Sequence, residues 1–418
     1  MSQAPGVYVK IEENPISPRP IEAAGTSTAV FLGPTRVVPE NRVRKPIRIT
    51  RFAQYEDTFG DMASPNDDGG PVAAVDYVRH AVNEFFRNGG TTAYVVSMGN
   101  QEGAPEEYDE AFTRLERVRD IGIICLPTQQ LGPHPGEPDE DPPVPATSLS
   151  NAAVGSAITH AEKMLDRFVL VDPPRDSDLA TADMTDGLDT LHRSSHSALF
   201  YPWIRVSNPH FNANIDEDQE ANPRTVLVPP SGFVAGVWAR TDTRRGVWKA
   251  PAGVQARLYA LTGLQHTVTD AEQATLNDNG VNCIRQRPGY GTVVWGARTL
   301  ATEASLWQYI PVRRTAMMLR ESIEDGIQWA VFEPNNDSLW SALRLTIESF
   351  MNGLFRAGAF QGQRASEAYF VRCGLGDTME QGDIDGGFVK VVVGFAPVKP
   401  AEFVEVTIYQ QVGLQQGA

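Results

Sequence analysis

Between residues 71 and 206 two periodicities take turns, and this alternation constrains the fold more than any other feature. Pro71 to Arg87 places Val72, Val75, Val78, Val82, Phe85 and Phe86 at helical spacing, and Asn88-Gly-Gly90 supplies a stop. Thr91 to Met98 follows at once as a β-rich run, then Tyr108 to Val118 reads as a helix and Ile121 to Leu126 as a buried strand. Ser150 to Leu165 is helical in pattern, Arg167 to Val171 a strand, Asp178 to Ser194 partly helical, and Ala198 to Val206 another strand. Short apolar strands separated by helices predict an α/β fold, α+β over the whole chain. Its body is a mostly parallel sheet covered on both faces.

The ends of the chain differ from this body. Pro5, Pro15, Pro18, Pro20 and Pro34 punctuate the start around Val7, Tyr8, Val9 and Ile11. Proline stops helices and removes ladder donors, so this stretch reads as an extended arm. Toward the other end, Asp337 or Ser338 can cap a helix whose apolar positions Leu339, Leu343, Ile347, Phe350, Met351, Leu354 and Phe355 share a face, with Gly358 ending it. Phe388 to Phe395 and Phe403 to Tyr409 read as strands; in the second, Val404, Val406 and Ile408 alternate with Phe403, Glu405, Thr407 and Tyr409. The expected divisions are an N-terminal arm over 1–28, an α/β body over 29–290, a C-terminal domain over 291–400 and a C-terminal arm strand over 401–418. Proline and acidic density marks 127–149 as an exposed loop, and Ser207 to Pro223 as a second polar one.

Composition narrows the function. A net charge of −16 opposes a general nucleic-acid or anionic-membrane binder, which needs a basic surface. The three cysteines, Cys125, Cys283 and Cys373, lie far apart in apolar surroundings and fit free buried thiols. The start of the sequence lacks the pattern of a signal peptide, and no apolar run approaches the ~20 residues of a membrane-spanning helix. Direct membrane insertion is therefore not expected.

Catalytic and cofactor patterns fail residue by residue. His192 and His196 have i, i+4 spacing, but Arg193 stands where a metalloprotease needs its glutamate. Asn212, Asn214, Asp216 and Asp218 alternate as in a calcium loop, yet Glu217 replaces the turn glycine and Pro223 the bidentate glutamate. Gly289-Tyr-Gly291 lacks the third glycine of a dinucleotide fingerprint, and neither a phosphate-cradling loop nor a nucleophile elbow is present. No cofactor and no enzyme activity are expected.

A series of blocks carries a more specific signal. Pro5-Gly-Val-Tyr8, Ala29-Val-Phe-Leu-Gly33, Tyr201-Pro-Trp203, Val234 to Asp242 and Arg245-Gly-Val-Trp-Lys-Ala-Pro251 occur in that order. Trp295 to Leu300, Arg313-Arg314, Val331-Phe-Glu-Pro-Asn335, Thr378-Met379, Asp383-Ile384 and Lys399-Pro-Ala-Glu-Phe403 follow. Together they resemble the contractile tail sheath proteins of phage tails, tailed bacteriocins and extracellular injection systems, over nearly the whole chain. Gly253, where a polar cap residue is expected, and the 127–145 loop are the departures.

The resemblance implies six-membered rings of this chain stacked helically around a rigid inner tube, with baseplate and terminator or cap proteins at the ends. Both arms would add strands to neighbouring subunits, through Val7, Tyr8, Val9 and Ile11 at one end and Phe403, Val404, Val406, Ile408 and Tyr409 at the other. The 291–400 domain would face the tube, and contraction would drive the tube through a target envelope. Arg313, Arg314 and Arg344 are candidate contacts to an acidic tube surface; local salt bridges are the other reading. Around Trp238 and Trp248, core packing is expected. The resemblance also implies assembly in a bacterial cytoplasm into a tail or tail-like particle. A sheath-like baseplate or cap component, or an α/β hydrolase, are the competing readings.

Overall fold

A computed structural model describes residues 20–60, 76–100, 103–129, 131–133, 149–175, 179, 192–209, 211, 223–301 and 305–402. These divide into two compact units: the described residues of Ala24–Met318 with Pro397–Ala418, and those of Met1–Ala23 with Leu319–Ala396.

The larger unit is built on one eight-stranded sheet. In chain order its parts are β1 (Ala29–Gly33), β2 (Pro46–Ile49), α1 (Phe52–Phe59), α2 (Tyr77–Asn88), β3 (Ala93–Ser97), α3 (Pro105–Leu115), β4 (Ile123–Cys125) and α4 (Ala152–Met164). There follow β5 (Phe168–Val171), β6 (Ser197–Tyr201), β7 (Ile204–Ser207), β8 (Thr225–Val228), α5 (Ser231–Arg245), β9 (Gly263–Leu264), α6 (Asp270–Asp278), β10 (Val281–Arg287), β11 (Gly291–Trp295) and α7 (Ile310–Gly326), the last counted here as far as Met318. The strand order is β11-β10-β6-β5-β4-β1-β3-β2. The six inner strands run parallel, and β11 and β2 close the two edges antiparallel. The mostly parallel sheet expected from the alternation is therefore present.

Period-two geometry explains why β1, β4, β5 and β6, buried at every position, are almost wholly apolar. Successive side chains of a strand leave opposite faces. Phe31, Cys125, Phe168 and Phe200 enter a core shared with Val82 and Phe85 of α2 and with Val234 and Trp238 of α5. Their neighbours Val30, Ile124, Val169 and Leu199 enter the opposite core with Tyr108 and Phe112 of α3, Ile158 of α4 and Leu276 of α6. Trp238 is met edge-on by Phe168 and Phe200, with ring centroids 5.2 and 6.2 Å away, a geometry that favours aromatic pairs. Its packing role agrees with expectation.

Helix α5 is buried continuously from Ser231 to Arg240. It lies against α2 at close range: a Cβ on Gly232 would come 2.5 Å from the Ala81 Cα, and one on Gly236 2.6 Å from the Phe85 carbonyl oxygen. Only glycine permits that approach.

Several local expectations need correction. The run Ala198–Val206 is two strands: β6 belongs to the main sheet, whereas β7 pairs antiparallel with β8 and β9 in a three-stranded sheet. Pro202, without a ladder donor, stands between them. The expected boundary at 290/291 falls between β10 and β11, which pair through Arg287 and Gly291. The start of the 127–149 loop is packed, since Leu131 is buried and its N–H donates to the Asp172 carbonyl at 3.1 Å. His192 and His196 share no helical face, because His192 precedes a turn and Ser197 already begins β6. Most of 178–194, and all of 212–218, lies outside the described residues.

The smaller unit centres on α8 (Asp337–Arg356) and a hairpin of β12 (Tyr369–Arg372) with β13 (Val392–Phe395). The cap is Asn336, one residue before the expected position: its Oδ1 accepts from the N–H groups of Ser338 and Leu339 at 3.1 and 3.2 Å. Leu339, Trp340 and Leu343 pack with Cys373 and Met379. Residues 388–391 do not continue β13, because their backbone is engaged elsewhere. Phe388 N–H donates to the Asp383 carbonyl, and the Lys390 carbonyl accepts from the Thr378 hydroxyl at 2.7 Å.

Candidate assembly site at the arm roots

Both expected arm segments, Val7 to Ile11 and Phe403 to Tyr409, lie outside the described residues. Described residues after the first segment and before the second lie in the larger unit, at Thr26–Thr28 and at Glu402, and a buried arginine holds each of these two roots.

At the N-terminal root, the Thr28 carbonyl accepts from the N–H groups of Gly122 and Ile123 at 3.0 and 3.1 Å, which fixes the entry to β1. Two residues earlier, the Thr26 hydroxyl donates to Asp242 Oδ2 at 2.6 Å, and the Thr26 carbonyl accepts from Arg314 Nη2 at 2.9 Å. Arg314 also donates to both oxygens of Asp242, at 3.0 and 2.7 Å. Its guanidinium carbon lies 4.4 Å from the centroid of Trp238. Arg314 is only 2% exposed. A planar fork can meet a carboxylate, a carbonyl and an aromatic face at once, which a lysine ammonium cannot.

At the C-terminal root, Arg298 Nη2 donates to Glu402 Oε2 at 2.8 Å, Nε lies 3.2 Å from each oxygen, and Nη1 donates to the Asn277 carbonyl at 2.9 Å. Asn282 of β10 seats the arginine: its Oδ1 accepts from the Arg298 N–H at 2.7 Å, while its Nδ2 donates to the carbonyls of Leu199 and Arg298. Burial, with the Glu402 charge second, raises the pKa of Tyr309. Glu402 is the residue immediately before the expected arm strand.

Arg313 and Arg314, both of the larger unit, do not form one exposed surface. Arg314 is buried at the N-terminal root, which removes it from the candidate tube contacts. Arg313 reaches the His196 ring and lies 4.9 Å from the Trp307 centroid. Burial, then the Arg313 charge, lowers the His196 pKa to about 4. Arg344, in the smaller unit, donates to the Cys373 carbonyl and to the Ser341 hydroxyl. Arg298, Glu402, Thr26 and Asp242 were not singled out from sequence. The available signal was charge inside otherwise apolar blocks, at Trp295–Leu300 and Lys399–Phe403.

Among the described residues, no group of three or more His, Cys, Asp or Glu is arranged to hold a metal, and no helix is long and apolar enough to cross a membrane. Family comparison decides the identity. The phage tail sheath protein central domain matches residues 143–300, and the phage tail sheath C-terminal domain matches residues 302–411. The chain belongs to the phage tail sheath family.

Relatives of this sheath protein include the tail sheath protein of Enterobacteria phage T4, 26% identical over 194 residues, and that of Vibrio phage KVP40, 28% identical over 134 residues. Those matches take in 45% and 32% of this chain, but only 29% and 20% of the two relatives, so the chain spans less than a third of their length. Likeness to two solved assemblies is end to end. A chain of the sheath complex of an extracellular contractile injection system, PVC, in its contracted state superposes with a TM-score of 0.73 at 27% identity, covering 99% of each chain. A chain of the anti-feeding prophage baseplate superposes with a TM-score of 0.71 at 29% identity, covering 99% of this chain and all of that one.

Proposed function

We propose that this chain is the repeating subunit of a contractile sheath. Copies stack as six-membered rings around an inner tube and shorten on triggering to drive the tube through an envelope. The observation that carries the reading is end-to-end likeness to a subunit of a contracted sheath, together with two arm roots each clamped by a buried arginine. Strand addition by the arms would supply main-chain hydrogen bonds between subunits, with alternate side chains fixing register. The clamps would transmit load from those strands into the rigid sheet while the subunit bodies rotate. Such a cycle draws on a metastable lattice and needs no bound nucleotide, so the role is structural. The setting is a phage tail or tail-like particle, with tube, baseplate and cap proteins as partners.

Likeness to a baseplate chain favours one second reading, a sheath-like component confined to the end of the particle. Electron microscopy of the chain expressed alone separates the two. Long hollow ribbed tubes support the sheath subunit; single closed rings support the end component.

A further inference from the structure

We propose that Arg240, Arg244, Arg245, Lys249 and Arg257, the first and last of which lie beside the Tyr259 ring, form a docking surface for a carboxylate-rich face of a second copy of this chain. This deepens the assembly reading above and rests on it for the identity of the occupant.

Among the described residues, no carboxylate pairs with these five cations. Arg240 is only 9% exposed, yet its guanidinium donates to the carbonyls of Asn88 and Arg257 rather than to a carboxylate. Arg240 and Arg257 both lie near the exposed Tyr259 ring, 4.9 and 5.7 Å from its centroid. Lys249 is half-buried and donates to the Ala250 carbonyl at 2.7 Å. Arg245 donates to the Gln255 amide oxygen at 2.9 Å, two residues before Arg257. Arg244 is exposed beside it. The nearest carboxylate in sequence, Asp242, is taken up by Thr26 and Arg314.

Burial lowers the pKa of Arg240, as does the neighbouring Arg244, and burial followed by Arg245 lowers that of Lys249. Cations desolvated in this way, facing only dipoles and a ring, gain most from a carboxylate brought from outside. The forks of Arg244 and Arg257, both exposed, can each take one in bidentate fashion.

The choice of occupant follows from charge. With 52 acidic against 36 basic residues, every copy presents a carboxylate excess to its neighbours.

The test compares the full chain with Arg244→Glu/Arg257→Glu, with Arg244→Lys/Arg257→Lys, and with Arg245→Glu, whose side chain is exposed. Circular dichroism checks folding, and sedimentation velocity reads self-association from about 50 to about 500 mM NaCl. Expected is a rise of about tenfold or more in the concentration at which the double charge reversal assembles, with the lysine pair, which keeps the charge and loses the fork, between it and wild type. Arg245→Glu should shift in the same direction and carries the test if the double reversal fails to fold. Assembly of folded reversed variants at the wild-type concentration, with wild-type salt dependence, overturns the proposal. So does unchanged assembly accompanied by loss of binding to a fluorescent oligodeoxythymidylate, which would assign the patch to nucleic acid. A wild-type chain that remains monomeric overturns both this docking surface and the polymer reading. Small closed oligomers weakened by the reversals would keep the surface and reject the polymer.

Discussion

Arg298 and Glu402, 104 residues apart in sequence, form a forked ion pair with side chains only 8% and 14% exposed. Glu402, one residue before the expected strand Phe403–Tyr409, is thereby tied through Arg298 to Asn277 of α6 and Asn282 of β10. The N-terminal root has a matching clamp in Arg314 and Asp242, whose side chains are 3% and 6% exposed. Each of these contacts is charge-assisted and shielded from salt by its burial.

Replacing Glu402 by alanine leaves the Arg298 charge buried against the Asn277 carbonyl. A loss of roughly 3 kcal/mol is expected from breaking one side of such a pair. Urea unfolding of Glu402→Ala, Arg298→Ala and the double variant measures it. The double variant should lose clearly less than the sum of the singles, and strict additivity would remove the clamp from the mechanism.

Arg314→Lys retains the charge and gives up the fork. With Asp242 and the Thr26 carbonyl both served by Arg314 Nη2, the lysine variant should be destabilised by about 2 kcal/mol. Amide exchange checks where the loss falls. Protection should drop around Thr28 and Gly122 first, because their hydrogen bonds hold the same root. A uniform drop across the sheet would contradict a local clamp.

Gly236→Ala should cost about 1–3 kcal/mol, since the new methyl would push against the Phe85 carbonyl and Asn88 at 2.6 Å. The same change at Gly353, where a Cβ would meet nothing within 4 Å, should be neutral or slightly stabilising in its helix. Thermal melts of the two variants provide the comparison, and equal melting temperatures would refute the close helix contact.

Burial raises the Asp172 carboxyl to about 7, against the opposing pull of two hydrogen bonds from Ser231, whose N–H and hydroxyl donate at 2.9 and 2.6 Å. A native pKa above the unfolded one means that the native state keeps a proton the unfolded chain has released. Its contribution to stability therefore falls as pH rises from about 4 to about 7. His160 and His196, lowered to about 4 mainly by burial, act oppositely: their contribution is present above about 6.5 and is lost as pH drops toward 4. Asp172→Asn removes only the first trend, so the variant should gain on wild type by a few kcal/mol across that window. A pH-independent difference in urea unfolding between the two would contradict the assignment.

The parallel sheet was legible because Thr91–Met98, Ile121–Leu126 and Arg167–Val171 are short, apolar and separated by amphipathic helices. Helix α5 left no such pattern: from Ser231 to Arg240 it is buried on every side and carries no polar stripe, and its two glycines argue locally against a helix although they serve packing. The same limit split Ala198–Val206, where a continuous apolar run concealed a change of sheet at Pro202. The family resemblance came from blocks of sequence, whereas the arginine clamps inside those blocks required three dimensions. Nothing local links Arg298 to Glu402 or Arg314 to Asp242. Of the arginines proposed as tube contacts, Arg314 shows how a charge that reads as surface can be structural.

The most direct measurement compares the full chain with one ending at Glu402, which retains the Arg298 clamp, by electron microscopy and sedimentation under identical conditions. The full chain should form long ribbed tubes, and the shortened chain should remain folded and unassembled. Tubes of normal length and diameter from the shortened chain would contradict assembly through the C-terminal arm.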